Sequence, residues 1–174
     1  MYPHAKPQFI QNLRKRLSRF QIRCHIGHAP NRIINRMESV KGKVPHALIV
    51  VYLKTILNGW TCDRRMRTLN CLTRPIRTTC LLCLCKCDDS LEHIAVCDTT
   101  KSVFSKFNIT IHDMHDFLAL NDGCTNPKVM VKHLFALGIV YSIYNTLKHH
   151  DDDLPPLHIP ALITAGISSA AGAH

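Results

Sequence analysis

The chain has 174 residues, 46% hydrophobic and 20% charged, which suits one folded domain and excludes both wholesale disorder and a multidomain machine. Its 22 lysines and arginines against 12 acidic residues give +10 with histidine neutral, a balance that favours polyanionic partners such as nucleic acid. Nine cysteines, odd in number and unevenly placed beside 12 histidines, argue against a closed disulfide framework and point to metal binding.

Charge divides the chain. Residues 1–80 carry 16 Lys and Arg against Glu38 and Asp63, a net +14, whereas residues 81–174 carry 6 against 10, a net −4. A phosphate-binding function therefore belongs to the first half. The start, Met1-Tyr2-Pro3-His4-Ala5-Lys6-Pro7, lacks the apolar core and cleavage site of a secretory signal. Val129 to Leu147 is interrupted by Lys132, His133 and Asn145, short of the roughly 20 apolar residues of a bilayer span. The expectation is an intracellular protein of nucleus or cytoplasm, not secreted and without membrane contact, its thiols reduced.

In chain order, residues 1–44 read as a basic amphipathic helical lead. Phe9, Leu13, Leu17, Phe20 and Cys24 recur at helical spacings of three and four, and Arg14, Lys15, Arg16, Arg19 and Arg23 fall largely off that stripe. Those basic residues form either a phosphate-contacting face or a solvated one. Residues 45–120 begin with Pro45 and the almost continuously apolar run His46 to Leu57, a helix expected to be buried. Asn58-Gly59 stops it, with glycine suited to a left-handed cap. Trp60 and an arginine-rich stretch follow: Arg64, Arg65, Arg67, Arg74 and Arg77.

Cys80-x2-Cys83 then opens a pair whose two-residue gap lets one tight turn converge both sulfurs on an ion. His93 and Cys97 stand at i and i+4, expected on one helix face. A knuckle plus a helix thus supplies four tetrahedral ligands, and three thiolates with one imidazole suit a closed, structural zinc site. Cys85 and Cys87 follow Cys83 at once, so either can replace a knuckle member or accept a second metal. Asp89 or Ser90 caps a helix from Leu91, with Asp89 and Glu92 at capping-box spacing, which suits Asp88-Asp89 better than a catalytic carboxylate pair.

His25-x2-His28 has ligand-like spacing but no second ligand pair nearby, and His112-x2-His115, which with Asp113 and Asp116 could bind metal, reads better as a helix surface. Cys62, Cys71 and Cys124 read as packing residues. Residues 121–153 hold a long helix from Pro127 to about His150, capped by Asn126, with Leu134, Ile139, Ile143 and Leu147 among its buried positions. It should stop before Asp151-Asp152-Asp153, which the negative end of a helix disfavours. Residues 154–174, rich in proline, alanine and glycine and without periodicity, read as a flexible tail. The expected fold is mostly α: a small helical domain with a CCHC zinc knuckle-plus-helix module and a mobile C-terminal tail. No glycine-rich phosphate loop, Gly-x-Ser-x-Gly elbow or H-E-x-x-H helix is present, so no enzymatic site is expected.

Leu57-Asn58-Gly59-Trp60-Thr61-Cys62-Asp63-Arg64-Arg65-Met66, then Cys80-x2-Cys83, then Asp88-Asp89-Ser90-Leu91-Glu92-His93 with Cys97, resembles the zinc-binding region downstream of the polymerase in non-LTR (LINE-type) retrotransposon reverse transcriptases. The likeness covers roughly residues 45–120. It implies a zinc module that helps hold template RNA or target DNA, with Cys80, Cys83, His93 and Cys97 as ligands to one structural Zn2+ and Arg64 and Arg65 on the phosphate backbone. Leu84 stands where the family often has glycine, the residue for which a left-handed backbone costs least. The family's polymerase aspartates, in a Tyr/Phe-x-Asp-Asp turn, have no counterpart in these 174 residues, so no polymerase activity is expected of them. Three other readings remain open: a zinc-stapled interaction module docking a protein partner through its apolar helices, a thiol-redox or metal-dependent activity at Cys85 and Cys87, and a degenerate open reading frame of a mobile element.

Overall fold

The computed structural model describes residues 5–20, 28–68, 79–150 and 158–171, and these form helices and turns with no strand among them. In chain order the helices are α1 (Ala5–Leu17), α2 (Ala29–Ser39), α3 (His46–Ile56), α4 (Asp63–Thr68), α5 (Leu91–Val96), α6 (Asp98–Ser105), α7 (Met114–Phe117), α8 (Pro127–Lys148) and α9 (Ile159–Ala171), with a 3-10 turn at Asp122–Thr125. None of them is long and apolar enough to cross a membrane. The mostly helical architecture is the one the sequence leads to.

The centre is α8. Asn126 caps it as expected, its side chain accepting the Lys128 N–H at 2.9 Å, and Pro127 occupies the first turn, where its missing N–H costs nothing. Ten of its residues are buried, including Leu134, Ile139 and Ile143, while Leu147 is half-buried. α2, α3, α6, α9 and the 3-10 turn all pack against it. One apolar core runs from Leu13 and Leu17 of α1 to Ala170 of α9. Trp60 is its hub: the indole N–H donates to Thr55 Oγ1 at 2.9 Å, and the ring meets Phe117, Tyr141 and Tyr144.

Four features differ from the sequence reading. α3 is apolar on nearly all sides but only Tyr52, Thr55 and Ile56 are buried, and Val50 is exposed, because the helix packs mainly on α8, with a smaller contact to α1, and the rest of its surface is left open. At its end Asn58, not Gly59, takes the left-handed backbone (φ 51°); Gly59 is required instead because a Cβ there would stand 2.9 Å from the Lys54 carbonyl oxygen. Residues 1–44, expected as a helical lead with its stripe from Phe9 to Cys24, hold a second helix, α2, beyond that stripe. Its Arg32 donates to the Leu120 carbonyl at 2.9 Å and its buried Arg36 to that of Asn121 at 2.6 Å, tying it to the approach of α8. The segment expected as a tail holds α9, seated on α8 where Gly166 comes so close to Ile139 that a Cβ would stand 2.9 Å from its Cγ2. Cys24, Arg23, His25, Cys71, Arg74, Arg77 and Asp151-Asp152-Asp153 lie outside the described residues.

Candidate metal centre

The loop Cys80–Cys87 folds back on itself through main-chain bonds. Leu84 N–H donates to the Cys80 carbonyl at 2.9 Å and Cys80 N–H to that of Cys85 at 3.0 Å. The reversal requires Leu84 to sit in the left-handed region (φ 59°), where a side chain costs energy and glycine does not. Its side chain is left 69% exposed, so nothing in the core recovers that cost. The Leu82 N–H points at Cys80 Sγ from 3.4 Å.

Opposite the loop, Ser90 caps α5, its hydroxyl accepting the His93 N–H at 3.2 Å. That cap starts the helix one residue before Leu91 and turns His93 toward the knuckle. Asp89 does not share the capping. Its buried carboxyl accepts the Asp63 N–H at 2.9 Å and the Tyr144 O–H at 2.8 Å, and its carbonyl accepts the Arg64 N–H at 3.1 Å. Nor does Cys97 lie on the helix with His93. It is the extended residue between α5 and α6 (φ −60°, ψ 138°), and the break in the chain, not an i to i+4 stack, aims its sulfur inward.

Cys80, Cys83, His93 and Cys97 nevertheless converge, their donor atoms all within 4.8 Å of one another. Cys80 and Cys97 sulfurs stand 4.0 Å apart and Cys83 Sγ lies 3.4 Å from His93 Nε2. A tetrahedral ion with metal–sulfur about 2.3 Å and metal–nitrogen about 2.0 Å has edges of about 3.8 and about 3.5 Å, so both pairs are already spaced to hold one. Cys80 and Cys97 are buried and Cys83 and His93 half-buried. The Cys97 thiol is pulled down, first by the hydrogen bond it shares with Cys80, then by N–H groups at the start of α6 and by Cys83, against the opposing effect of burial. The same shared proton, followed by burial, pushes the Cys80 thiol up. A metal binds cysteine as the thiolate, so an ion seated here would displace the proton the two sulfurs share.

A second group overlaps the first: Cys83, Cys85, Cys87 and His93, with Cys85 exposed. Its sulfurs are tighter, Cys83–Cys85 at 2.9 Å and Cys85–Cys87 at 2.6 Å, and Cys85 and Cys87 lie 3.6 and 3.2 Å from the same His93 Nε2. The neighbouring Cys83 and Cys87 thiols push Cys85 up to about 12. In a third group, Asp113, His115 and Asp116, the two carboxylates are already engaged by the protein, while His115 Nε2 is buried without a partner. Asp113 caps α7 at the Asp116 N–H, and Asp116 accepts from the His112 N–H and the Asn121 amide at 3.0 and 2.9 Å. Cys62 and Cys124 are buried with thiols pushed up by burial, as packing residues should be. His28 is an exposed residue at the start of α2.

The basic residues are brought together across the sequence. Arg14, Lys15 and Arg16 are exposed on the last turn of α1, and Arg19 is exposed just beyond it. Arg16 and Arg19 line one cavity of about 370 Å³ with Arg64 and Arg65 of α4, together with Asn58, Cys62 and Glu92. Lys15 lies with Arg16 and Arg19 at a neighbouring hollow. The Arg67 side chain is outside the described residues. What the sequence does not reveal is that Glu92, next to His93, walls this cavity, and that Asp89 fastens α4 to the segment carrying the cysteine–histidine cluster.

Fold and cluster together define a mostly helical protein with a cysteine–histidine group able to hold a metal ion. No family model, curated protein or solved structure matches the chain.

Proposed function

We propose that the protein is a zinc-dependent nucleic-acid-binding module, similar to the region downstream of the polymerase in non-LTR retrotransposon reverse transcriptases and without polymerase activity of its own. Cys80, Cys83, His93 and Cys97 hold one structural Zn2+, the ion for which three thiolates and an imidazole in a closed tetrahedron are the usual set. Arg14, Lys15, Arg16, Arg19, Arg64, Arg65 and Arg67 contact the phosphate backbone of RNA or DNA.

The observation that carries the reading is the convergence of Arg16, Arg19, Arg64 and Arg65, separated by some 45 residues of sequence, on one cavity whose wall is the helix bearing His93. Four guanidinium groups beside a single carboxylate, Glu92, are an anion site, and their forked donors match phosphate oxygens. The only tryptophan is buried, so base stacking on it plays no part. Binding is therefore electrostatic and weakly sequence-dependent. Titration from 50 to 200 mM salt should give a slope of log K against log salt of about −5 on duplex DNA, if about six phosphates are neutralised. A slope near zero defeats the reading. Purified protein should carry one zinc per chain, and His93→Ala much less, with lost helicity. The rival interaction-module reading loses its main surface, because α8 buries ten residues in the protein's own core.

A further inference from the structure

The cluster gathers six donors, Cys80, Cys83, Cys85, Cys87, His93 and Cys97, where a tetrahedral ion needs four. Its two quartets share Cys83 and His93 and differ by exchanging Cys80 and Cys97 for Cys85 and Cys87. Both use Nε2 of His93, and a ring nitrogen has one lone pair to give. They are therefore alternative seats for one ion, not two full sites.

We propose that Cys85 and Cys87 form an outer seat through which a thiophilic divalent ion enters and leaves the inner quartet, pivoting on Cys83 and His93. This rests on the inner quartet being the resident zinc site. Access favours it: the inner sulfurs Cys80 and Cys97 are 0% and 1% exposed, out of reach of a hydrated ion, while Cys85 is on the surface. Spacing sets the direction. The inner pairs at 4.0 and 3.4 Å already match a tetrahedron, whereas the outer sulfurs at 2.9 and 2.6 Å must spread by about 1 Å to admit an ion. The outer seat is thus the weaker one, occupied in passing.

In the step itself, the ion sheds waters as Cys83, Cys85, Cys87 and His93 bind it. Cys80 and Cys97 then displace Cys85 and Cys87. Each thiol that binds releases its proton to water, each that leaves recovers one, and no electron is transferred. The ion is never held by fewer than two protein atoms, so release does not require the buried pair to open to solvent.

The test uses the metal-loaded full chain and Zn2+ alone. Wild type and the double variant Cys85→Ser, Cys87→Ser are compared for zinc content, circular dichroism, exchange with labelled Zn2+ and transfer of zinc to a chromophoric chelator. The expected result is one zinc per chain and the same helix signal in both, with exchange and transfer each slowed about tenfold in the variant. Equal rates in the two proteins overturn the outer seat while leaving the zinc site standing. Loss of zinc from the double variant, or full retention by Cys80→Ser, Cys97→Ser, instead overturns the inner quartet on which the proposal rests.

Discussion

Leu84 holds a backbone conformation that its own side chain resists. At φ 59° the cost for an L-residue with a Cβ is about 1–2 kcal/mol, and a side chain 69% exposed recovers little by packing. The conformation persists because the chain must reverse there for Cys83 to face His93. Glycine removes the strain but adds freedom to the unfolded chain, which takes back up to about 1 kcal/mol. Leu84→Gly should therefore stabilise the metal-loaded protein by up to about 1 kcal/mol, measured as the denaturation midpoint at constant slope; a loss of stability would mean that Leu84 packs on something. Gly59 makes the opposite case. There the Cβ would press on a main-chain oxygen, which cannot swing aside, so Gly59→Ala should destabilise by about 1–2 kcal/mol in the same assay.

Between elements the decisive contacts are buried polar ones. His133 of α8 is fully buried, donating from Nε2 to the Phe117 carbonyl of α7 at 3.0 Å. Burial lowers its pKa to about 4, with the Phe117 bond opposing part of the shift. An unfolded histidine titrates near 6.5. Above that pH neither state is protonated and stability is complete; as pH falls from about 6.5 toward 4, the unfolded chain takes a proton that the folded one refuses, and about 3 kcal/mol is lost. His133→Gln keeps a donor and removes the titration, so its stability should fall less steeply over that window. Identical pH profiles would exclude His133 as the cause, and metal loss, common to both proteins, cancels in the comparison. Contacts of this kind explain what the sequence could and could not convey. α8 was legible because Asn126 and Pro127 mark its start and its apolar run is long, and the Cys80–Cys97 ligand set because its spacing is local. α2 was not, because the face it buries includes Arg36, which a hydrophobic pattern counts as surface. Asp89 was misassigned for the same reason: its partners, Asp63 and Tyr144, stand 26 and 55 residues away.

At the scale of the whole molecule, a basic first half and an acidic second half meet at the metal loop. Asp89, between Cys87 and His93, receives the first two N–H groups of α4, so the segment that could hold an ion also orients the helix carrying Arg64 and Arg65. On the proposed function, two perturbations should weaken nucleic-acid binding by different routes. Alanine at Arg16, Arg19, Arg64 and Arg65 removes the four phosphate contacts proposed for that cavity, so the salt slope should become shallower by about 3–4, at roughly 0.9 per contact, with zinc content and helix signal unchanged. Alanine at the exposed Lys106 and Lys128, outside that cavity, should leave the slope as it was. With the proposed zinc in place, a chelator would touch no arginine, yet it should release the Cys80–Cys97 segment and with it the Asp89 anchor. Affinity should then fall together with helicity and return when Zn2+ is restored. If the chelated protein binds duplex DNA at 100 mM salt as tightly as the loaded one, the arginine cavity does not depend on the metal, and the coupling of the two sites through Asp89 is wrong even where each site is real.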